Sequence, residues 1–385
     1  MDADVLVVGA GPAGLAVAAC LRQRGIEPLV VDRGAAVGES WRARYDRLRL
    51  HTPRVQSALP GMRIPRSAGR WVARDDFAAY LADYARHHGI APRFGTGVQR
   101  LQPEADGWRA TTGTGEIRAR QVVLASGYNG SPVLPDWPGA DSFGGQILHS
   151  CAYSAPAAFR GRSVLVVGAG NTGAEIAADL ADGGARSVHL AVRTPPNVIP
   201  RALGPVPTTL LGIALDHLPA RLSDPLNRLM QRAFVGDLTR YGLPAPTQGL
   251  VAQARATGVT PTIDVGLVAA LRKGLVTPVA ALDRFDGDEA VLADGSRLRP
   301  DVVLAATGYR TALEPLVGHL GVLDAAGRPG VHGGRTDPAA PGLRFVGLAN
   351  PLKGLLFSIR LDARSAATAI ARELAQQSPD VGRAA

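Results

Sequence analysis

Cysteine is nearly absent from this chain. Its 385 residues hold two, Cys20 and Cys151. They are far apart and form no CxxC pair, so a disulfide framework, a thiolate zinc site and a dithiol redox centre are all unsupported. No metal site is expected. Lysine is also scarce: Lys273 and Lys353 are the only two, so arginine carries the formal charge of +9. Those arginines are scattered and form no basic run, which argues against nucleic acid as a partner. A basic surface of this kind steers anions, including dinucleotide phosphates and carboxylate substrates. Aromatic residues make up only 5%, so aliphatic side chains must build most of the core. The chain opens without a basic segment leading into an apolar one, so no signal peptide is expected. The apolar stretch Leu210 to Leu218 is too short for a membrane span and contains Asp216. These absences lead to the expectation of a cytoplasmic protein with no membrane partner. Glycine (46), proline (29) and apolar residues (46%) are plentiful, as in a loop-rich globular enzyme of two or three domains.

The pattern along the chain repeats. Residues 4–8 (DVLVV) form an apolar run expected of a strand buried on both faces. A glycine turn and a helix of small residues follow, Gly25 closes the helix, and PLVVD (28–32) is the next strand. The same βαβ order returns as RSVLVV (162–167), GAGNTG (168–173), a helical AEIAADLADGG and SVHLAVR (187–193). VVLASGY (122–128) and VLAATGY (303–309) each read as an apolar strand ending in a glycine turn, and each closes one dinucleotide domain. Hairpins are expected before them, over 107–121 and 284–301, with Asp-Gly turn signals at 286–287 and 294–295. The Pro-punctuated stretch 196–260, including DPLNRLMQRAFVGDL, reads as a helical excursion. Residues 358–377 read as a helix, with a frayed tail beyond Ser378. The fold class expected is α/β with two Rossmann-like, three-layer dinucleotide-binding domains.

The spacing Gly9-x-Gly11-x-x-Gly14 has a physical basis. The first glycine permits the tight turn, the second lets the backbone approach a pyrophosphate, and the third lets helix and strand pack closely. The helix N-terminus then offers free N–H groups to phosphate. Asp32 ends the next strand, where a carboxylate accepts ribose hydroxyls. The competing reading is an ordinary glycine turn in an unrelated α/β domain. The second loop is Gly168-x-Gly170-x-x-Gly173, and its following strand ends in Arg193 rather than an acid. Arg193 can fork a 2′-phosphate, which favours NADPH over NADH, unless it is only a surface arginine. The residues expected to bind the two cofactors are Gly9, Gly11, Pro12, Ala13, Gly14, Asp32, Arg33, Trp41, His51, Val98, Ser126, Gly127, Gly168, Gly170, Asn171, Thr172, Gly173, Arg193, Thr307, Gly308 and Tyr309.

These loops sit among further signatures. Phe143-x-Gly145-x-x-x-His149-x-x-x-Tyr153 matches the identifying FxGxxxHxxx(Y/F) motif of flavin-containing monooxygenases, the class B flavoprotein monooxygenases. WRARYDRLRLH (41–51), GDLTRYGL (236–243), TPTIDVG (260–266), ATGY (306–309) and GLLFSIRLDA (354–363) resemble the YUCCA-type branch. The resemblance covers nearly the whole chain. It implies an FAD domain in two parts, 1–155 and 301–385, with an NADPH domain inserted at 156–300. It also implies FAD, NADPH and O₂ as reactants: hydride transfer reduces FAD, O₂ adds at flavin C4a, and NADP⁺ stays bound while the (hydro)peroxyflavin meets its substrate. Such a site must be dry and shaped, with the cofactor supplying the oxygen chemistry.

Two residues are candidates for chemistry. Many members of the family carry an asparagine beside flavin C4a; the matching turn here reads Leu50-His51-Thr52. His51 either donates a hydrogen bond to flavin or peroxide, or packs under the ring. Asn129 either positions nicotinamide or peroxide, or simply forms the turn before Gly130. A structural role at the domain junction is expected for Phe143, Gly145, His149 and Tyr153. Tyr153 is followed by Ser154, not by the WP of typical Baeyer–Villiger relatives. The leading functional reading is oxygenation of a small, anionic, aromatic substrate, such as the oxidative decarboxylation of indole-3-pyruvate. The alternatives are N- or S-oxygenation, Baeyer–Villiger insertion, a disulfide reductase (which needs a dithiol) and a flavin-binding protein with little turnover. The substrate pocket is expected between 196–260 and 350–358, with Asn350, Lys353 and Phe357 on its wall. Oligomeric state, monomer or homodimer, is left open.

Overall fold

The computed structural model describes residues 1–215 and 219–377. The end of the Leu210–Leu218 stretch and the tail beyond Gln377 lie outside the described residues. The first sheet grows from the strand Ala3–Val8. Its Val5, Leu6 and Val7 are fully buried, because parallel neighbours flank it on both edges and helices or loops cover both faces. Leu6 pairs with Leu29 of Leu29–Val31 on one side and with Val122 of Gly115–Leu124 on the other. The long strand Gly115–Leu124 serves two neighbours along its other edge. Its first half pairs antiparallel with Gly107–Thr112, the expected hairpin, which continues to Val98–Glu104. Its second half pairs in parallel with Leu343–Phe345.

The helix Pro12–Arg22 is buried from Ala13 to Leu21. Its alanines and Gly14 let it approach the sheet while the C-terminal helix Leu355–Gln377 and the helix Arg74–His87 cover its other sides. Arg344, fully buried in the strand Leu343–Phe345, ties that last helix down. Its guanidinium donates to Gln121 Oε1 at 2.6 Å and pairs with Glu373. A buried arginine is tolerable only when so satisfied.

The second sheet is entirely parallel. Its order is Thr277–Ala280, Ser187–Val192, Ser163–Val167, Val302–Ala305, Gln146–His149. The helix Asn171–Asp182 follows the central strand. Two mostly parallel sheets, each with its glycine turn and helix, make the two Rossmann-like units of the expected α/β class. The sheet also draws a strand from outside each end of the expected 156–300 insert: Gln146–His149 precedes it and Val302–Ala305 follows it.

The stretch read as one hairpin over 284–301 is a three-stranded meander, Leu282–Asp286, Glu289–Leu292 and Arg297–Leu298, because both Asp-Gly signals turn the chain. The 196–260 excursion begins with the short strands Val198–Pro200, Ala202–Leu203 and Val206–Pro207. It then becomes helical at Thr208–Leu215, Ala220–Phe234 and Leu250–Thr257.

Candidate active site

The two glycine turns have the same geometry. Gly9 has φ +113°, and a Cβ there would stand 2.4 Å from the Ala125 carbonyl oxygen. A Cβ on Gly14 would stand 1.8 Å from the Gly9 oxygen, so this residue must be glycine for helix and turn to meet. Gly11, by contrast, has nothing within 4 Å of that position. The second turn repeats this: Gly168 has φ +109°, a Cβ on Gly173 would lie 1.9 Å from the Gly168 oxygen, and Gly170 faces open space. Both helices begin at a glycine N-cap with no side-chain cap, which leaves first-turn N–H groups and the positive end of the helix for an anion. These features fit a diphosphate at each turn.

A cleft of about 510 Å³ runs along the first turn. Gly9, Gly11, Pro12, Ala13, Asp32, Arg33, Trp41, Val98, Ser126, Gly127, Asn129 and Tyr309 line it. Gly14 lies behind the wall, in the helix contact. Asp32 accepts the N–H of Ala10 at 2.6 Å and of Gly34 at 2.7 Å. It thus fixes the turn while still lining the cleft, and its remaining lone pairs suit hydroxyl donors. Thr307 and Gly308 are not on this wall: Thr307 Oγ1 donates to the Val133 carbonyl at 2.5 Å and the Gly308 carbonyl faces His149 Nε2 at 3.1 Å. They hold Tyr309 at the cleft from behind.

A second cavity, about 340 Å³, adjoins the cleft; Trp41, Tyr45, Leu48, Thr172 and Leu355 line both. Its apolar wall includes Ile199, Leu203, Leu211, Met230, Val251 and Ile263, and its polar members include Arg49, His51, Glu175, Asn227, Gln231 and Asn350. The 196–260 excursion thus supplies much of the wall, as does Asn350. Lys353 and Phe357 do not line it. The Lys353 carbonyl instead accepts from Gln56 Nε2 at 2.8 Å, and Phe357 packs under the Arg360 guanidinium at 4.8 Å.

His51 faces this second cavity rather than the cleft. Its Nε2 lies 2.5 Å from Glu175 Oε1. Glu175 is 4% exposed and also accepts the Tyr45 hydroxyl at 3.0 Å. Burial, followed by the Glu175 charge, pushes the Tyr45 phenol well above its ordinary pKa. One helical turn on, Asp179 accepts the Tyr153 hydroxyl at 2.7 Å and pairs with Arg47 at 3.3 Å; Asp182 pairs with the same arginine at 2.9 Å. The second phosphate helix therefore carries acids at 175, 179 and 182, the i, i+4, i+7 spacing of one helix face. That strip binds the 45–51 segment beside the first cleft. Glu175 had no expected role; three acids at helical spacing in a helix otherwise built of small apolar residues are the signal for it.

Nearby, Arg201 stacks on Trp71 with its Cζ 4.3 Å from the ring centroid and donates to the Leu50 carbonyl at 2.6 Å. Burial lowers its pKa to about 10. Asn171, expected at a cofactor, is already engaged. Its Nδ2 donates to the Pro261 carbonyl at 3.1 Å and its Oδ1 accepts from Ile263 N at 2.8 Å. It staples the strand Thr262–Asp264 onto the glycine turn. Thr172 lines both cavities, and Arg193 is exposed at the end of its strand.

The four motif residues pack and hydrogen-bond at the junction, and Tyr153 also lines the first cleft. Phe143 packs against Phe285 at 4.6 Å, and a Cβ on Gly145 would stand 2.5 Å from the Phe143 ring. His149 accepts the Cys151 N–H at 3.1 Å on Nδ1 while its other nitrogen faces Gly308. Burial lowers its pKa, consistent with a neutral ring carrying its proton on Nε2. Among the described residues no cluster of His, Cys, Asp and Glu is gathered to hold a metal, and no helix is long and apolar enough to cross a membrane.

Two glycine turns that fit diphosphates, the first lining a cleft and the second reaching both that cleft and the adjoining apolar cavity through Thr172, define a flavin- and pyridine-nucleotide-dependent oxidoreductase. The sequence model for pyridine nucleotide-disulphide oxidoreductases matches residues 6–200. The indole-3-pyruvate monooxygenase YUCCA1 of Oryza sativa subsp. japonica is 36% identical over 311 residues, covering 80% of this chain and 76% of that protein. YUCCA8 of the same plant is 39% identical over 321 residues, with the same coverage. Among solved structures, a flavin-containing monooxygenase from Stenotrophomonas maltophilia superimposes with TM-score 0.74 at 26% identity, covering 97% of this chain and all of that one. A cyclohexanone monooxygenase shares the fold, with TM-score 0.71 at 20% identity over 97% and 84% of the two chains.

The chain belongs to the pyridine nucleotide-disulphide oxidoreductase family as that model defines it, and within it to the flavin-containing monooxygenases of the YUCCA-like branch. It is an FAD-dependent monooxygenase that uses NADPH and O₂. Both cysteines are free, Cys20 buried and Cys151 exposed.

Proposed function

We propose that this enzyme oxygenates a small aromatic substrate bearing a carboxylate, in the class of the 2-oxo acid indole-3-pyruvate named for its plant relatives. The observation that carries this reading is the second cavity. Its walls are largely aliphatic, it opens on the cleft beside Trp41 and Tyr45, and Arg49 is its one lining cation among the described residues. An aryl group suits the apolar wall, and an anion suits Arg49. Glu175, the one acid on that wall among the described residues, is answered by Tyr45 and His51. It therefore repels a carboxylate less than a free acid would.

In this reading the first turn holds the FAD diphosphate through Gly9 to Ala13, with Asp32 on the ribose. Arg33, Trp41, Val98, Ser126, Gly127 and Tyr309 complete that cleft. The second turn, Gly168 to Gly173, holds NADPH, with Arg193 on its 2′-phosphate. FAD supplies the redox and oxygen chemistry once bound. The protein's part is to bind and orient both dinucleotides, to keep water from the cavity and to present donors. Asn129 lines the same cleft. His51, with Nε2 held by Glu175, keeps Nδ1 for a partner in the cavity. Sheet membership supports an inserted nucleotide unit that reaches from Gln146 to Ala305, somewhat wider than 156–300.

The test is product analysis with NADPH, O₂ and indole-3-pyruvate. Substrate-dependent NADPH oxidation yielding a product that has lost CO₂ supports the reading. A product that gains one oxygen and keeps its carbon from a sulfide or amine, with 2-oxo acids inert, replaces it by heteroatom oxygenation.

A further inference from the structure

The helix Ala220–Phe234 is unusual for a soluble surface. Leu222, Leu226 and Leu229 are 60%, 48% and 65% exposed. Their i, i+4, i+7 spacing puts them on one stripe. Arg221, Arg228 and Arg232, also exposed, have i, i+7, i+11 spacing and form a ridge along the flank of that stripe. The helix contains one acid, Asp224, and it is buried, accepting the N–H groups of Val251 at 2.7 Å and Ala252 at 3.2 Å. The outward face therefore carries leucine and arginine with no negative charge. The inward face is committed to the enzyme: Asn227, Met230 and Gln231 line the second cavity.

We propose that this helix is a docking surface for a lipid bilayer bearing anionic headgroups, lying in the plane of the interface. Single exposed leucines need no explanation, but a row of three on one stripe does. A protein partner or a second copy would have to answer the arginine ridge with acids, and this face offers none to a copy of itself. A bilayer answers both features at once. The leucines enter the acyl boundary, and the arginines sit at headgroup depth with their aliphatic stems along the apolar layer. The net charge of +9 adds long-range attraction to an anionic surface. The expectation of no membrane partner rested on the absence of a spanning segment, which an interfacial helix does not need. Docked in this way, the helix holds one wall of the substrate cavity against the lipid surface.

The test is co-sedimentation of the FAD-loaded protein with vesicles. Phosphatidylcholine vesicles containing phosphatidylglycerol should pellet it at low ionic strength; pure phosphatidylcholine should pellet far less, and high salt should release it. Arg221→Gln/Arg228→Gln/Arg232→Gln should lose about fivefold in partition for each charge removed. Leu222→Ser/Leu226→Ser/Leu229→Ser should lose binding at unchanged net charge. Flavin content and circular dichroism of both variants report whether they fold. The proposal is overturned if the protein stays in the supernatant with anionic vesicles. It is equally overturned if both variants still pellet, or if light scattering shows a dimer that the leucine variant dissociates.

Discussion

Gly170→Ala separates the role of a phosphate-cradling glycine from that of a packing glycine. Gly170 has φ −72° and ψ −179°, a conformation open to any L-residue, and a Cβ there meets nothing within 4 Å. Alanine is a poorer N-cap than glycine, which costs roughly 0.5–1 kcal/mol of stability. In the proposed assignment of the second turn to NADPH, the new methyl takes space that its diphosphate would fill. Overfilling a fitted site costs about 1–3 kcal/mol, so the Kd for NADPH should rise roughly 5- to 150-fold. FAD content should not change, because the first turn is untouched. Gly173→Ala is the control. Its methyl would stand 1.9 Å from the Gly168 carbonyl oxygen, backbone that no rotamer change relieves. The helix must lift from the strand, costing at least about 3 kcal/mol. The assays are denaturant unfolding, the flavin-to-protein absorbance ratio and NADPH titration. If Gly170→Ala binds NADPH within about twofold of the parent, or loses its flavin, the assignment of the second turn is wrong.

Three further outcomes follow from the same geometry. Glu175→Ala strands the buried Tyr45 hydroxyl and should cost about 1–3 kcal/mol in denaturant unfolding of the holoprotein, whereas Glu175→Gln keeps an acceptor and should cost less. Arg193→Ala removes a charged fork, so the Kd for NADPH should rise roughly 10-fold or more while that for NADH stays put. A similar rise for both nucleotides would refute a 2′-phosphate contact. His149 is held neutral by burial, with its folded pKa below the ordinary 6.5. Its contribution to stability is therefore intact above about pH 6.5 and is lost as pH falls toward the folded value, because the unfolded chain takes up the proton first. His149→Gln should flatten that acid limb of the unfolding midpoint; an unchanged limb would mean that other groups dominate it.

The glycine turns were legible because their chemistry is local: a buried strand, a turn requiring positive φ and a helix packed close enough to exclude a Cβ lie within fifteen residues of each other. The packing of Phe143, Gly145 and His149 at the junction could also be anticipated, whereas Tyr153 lines the first cleft as well. Residues whose partners are distant in sequence were harder to read. His51 looked like a flavin neighbour, yet its Nε2 is committed to Glu175, 124 positions away. Asn171 sits in the fingerprint loop, but its amide is committed to residues 261 and 263. The strand Gln146–His149 reads as part of the first unit by position. Only pairing with Val302–Ala305 assigns it to the second sheet. Phe357 was expected on a 350–358 loop, but it lies in the helix Leu355–Gln377 with the Arg360 guanidinium over its ring.

The most direct test of the account is an anaerobic titration of the purified protein with NADPH, followed through the absorbance of its flavin. Two dinucleotides aligned along their own glycine turns predict a yellow protein whose flavin is bleached by about one equivalent of NADPH, and recolours when air is admitted. A colourless protein that cannot be loaded with FAD, or a flavin that stays oxidised under excess NADPH, would contradict it.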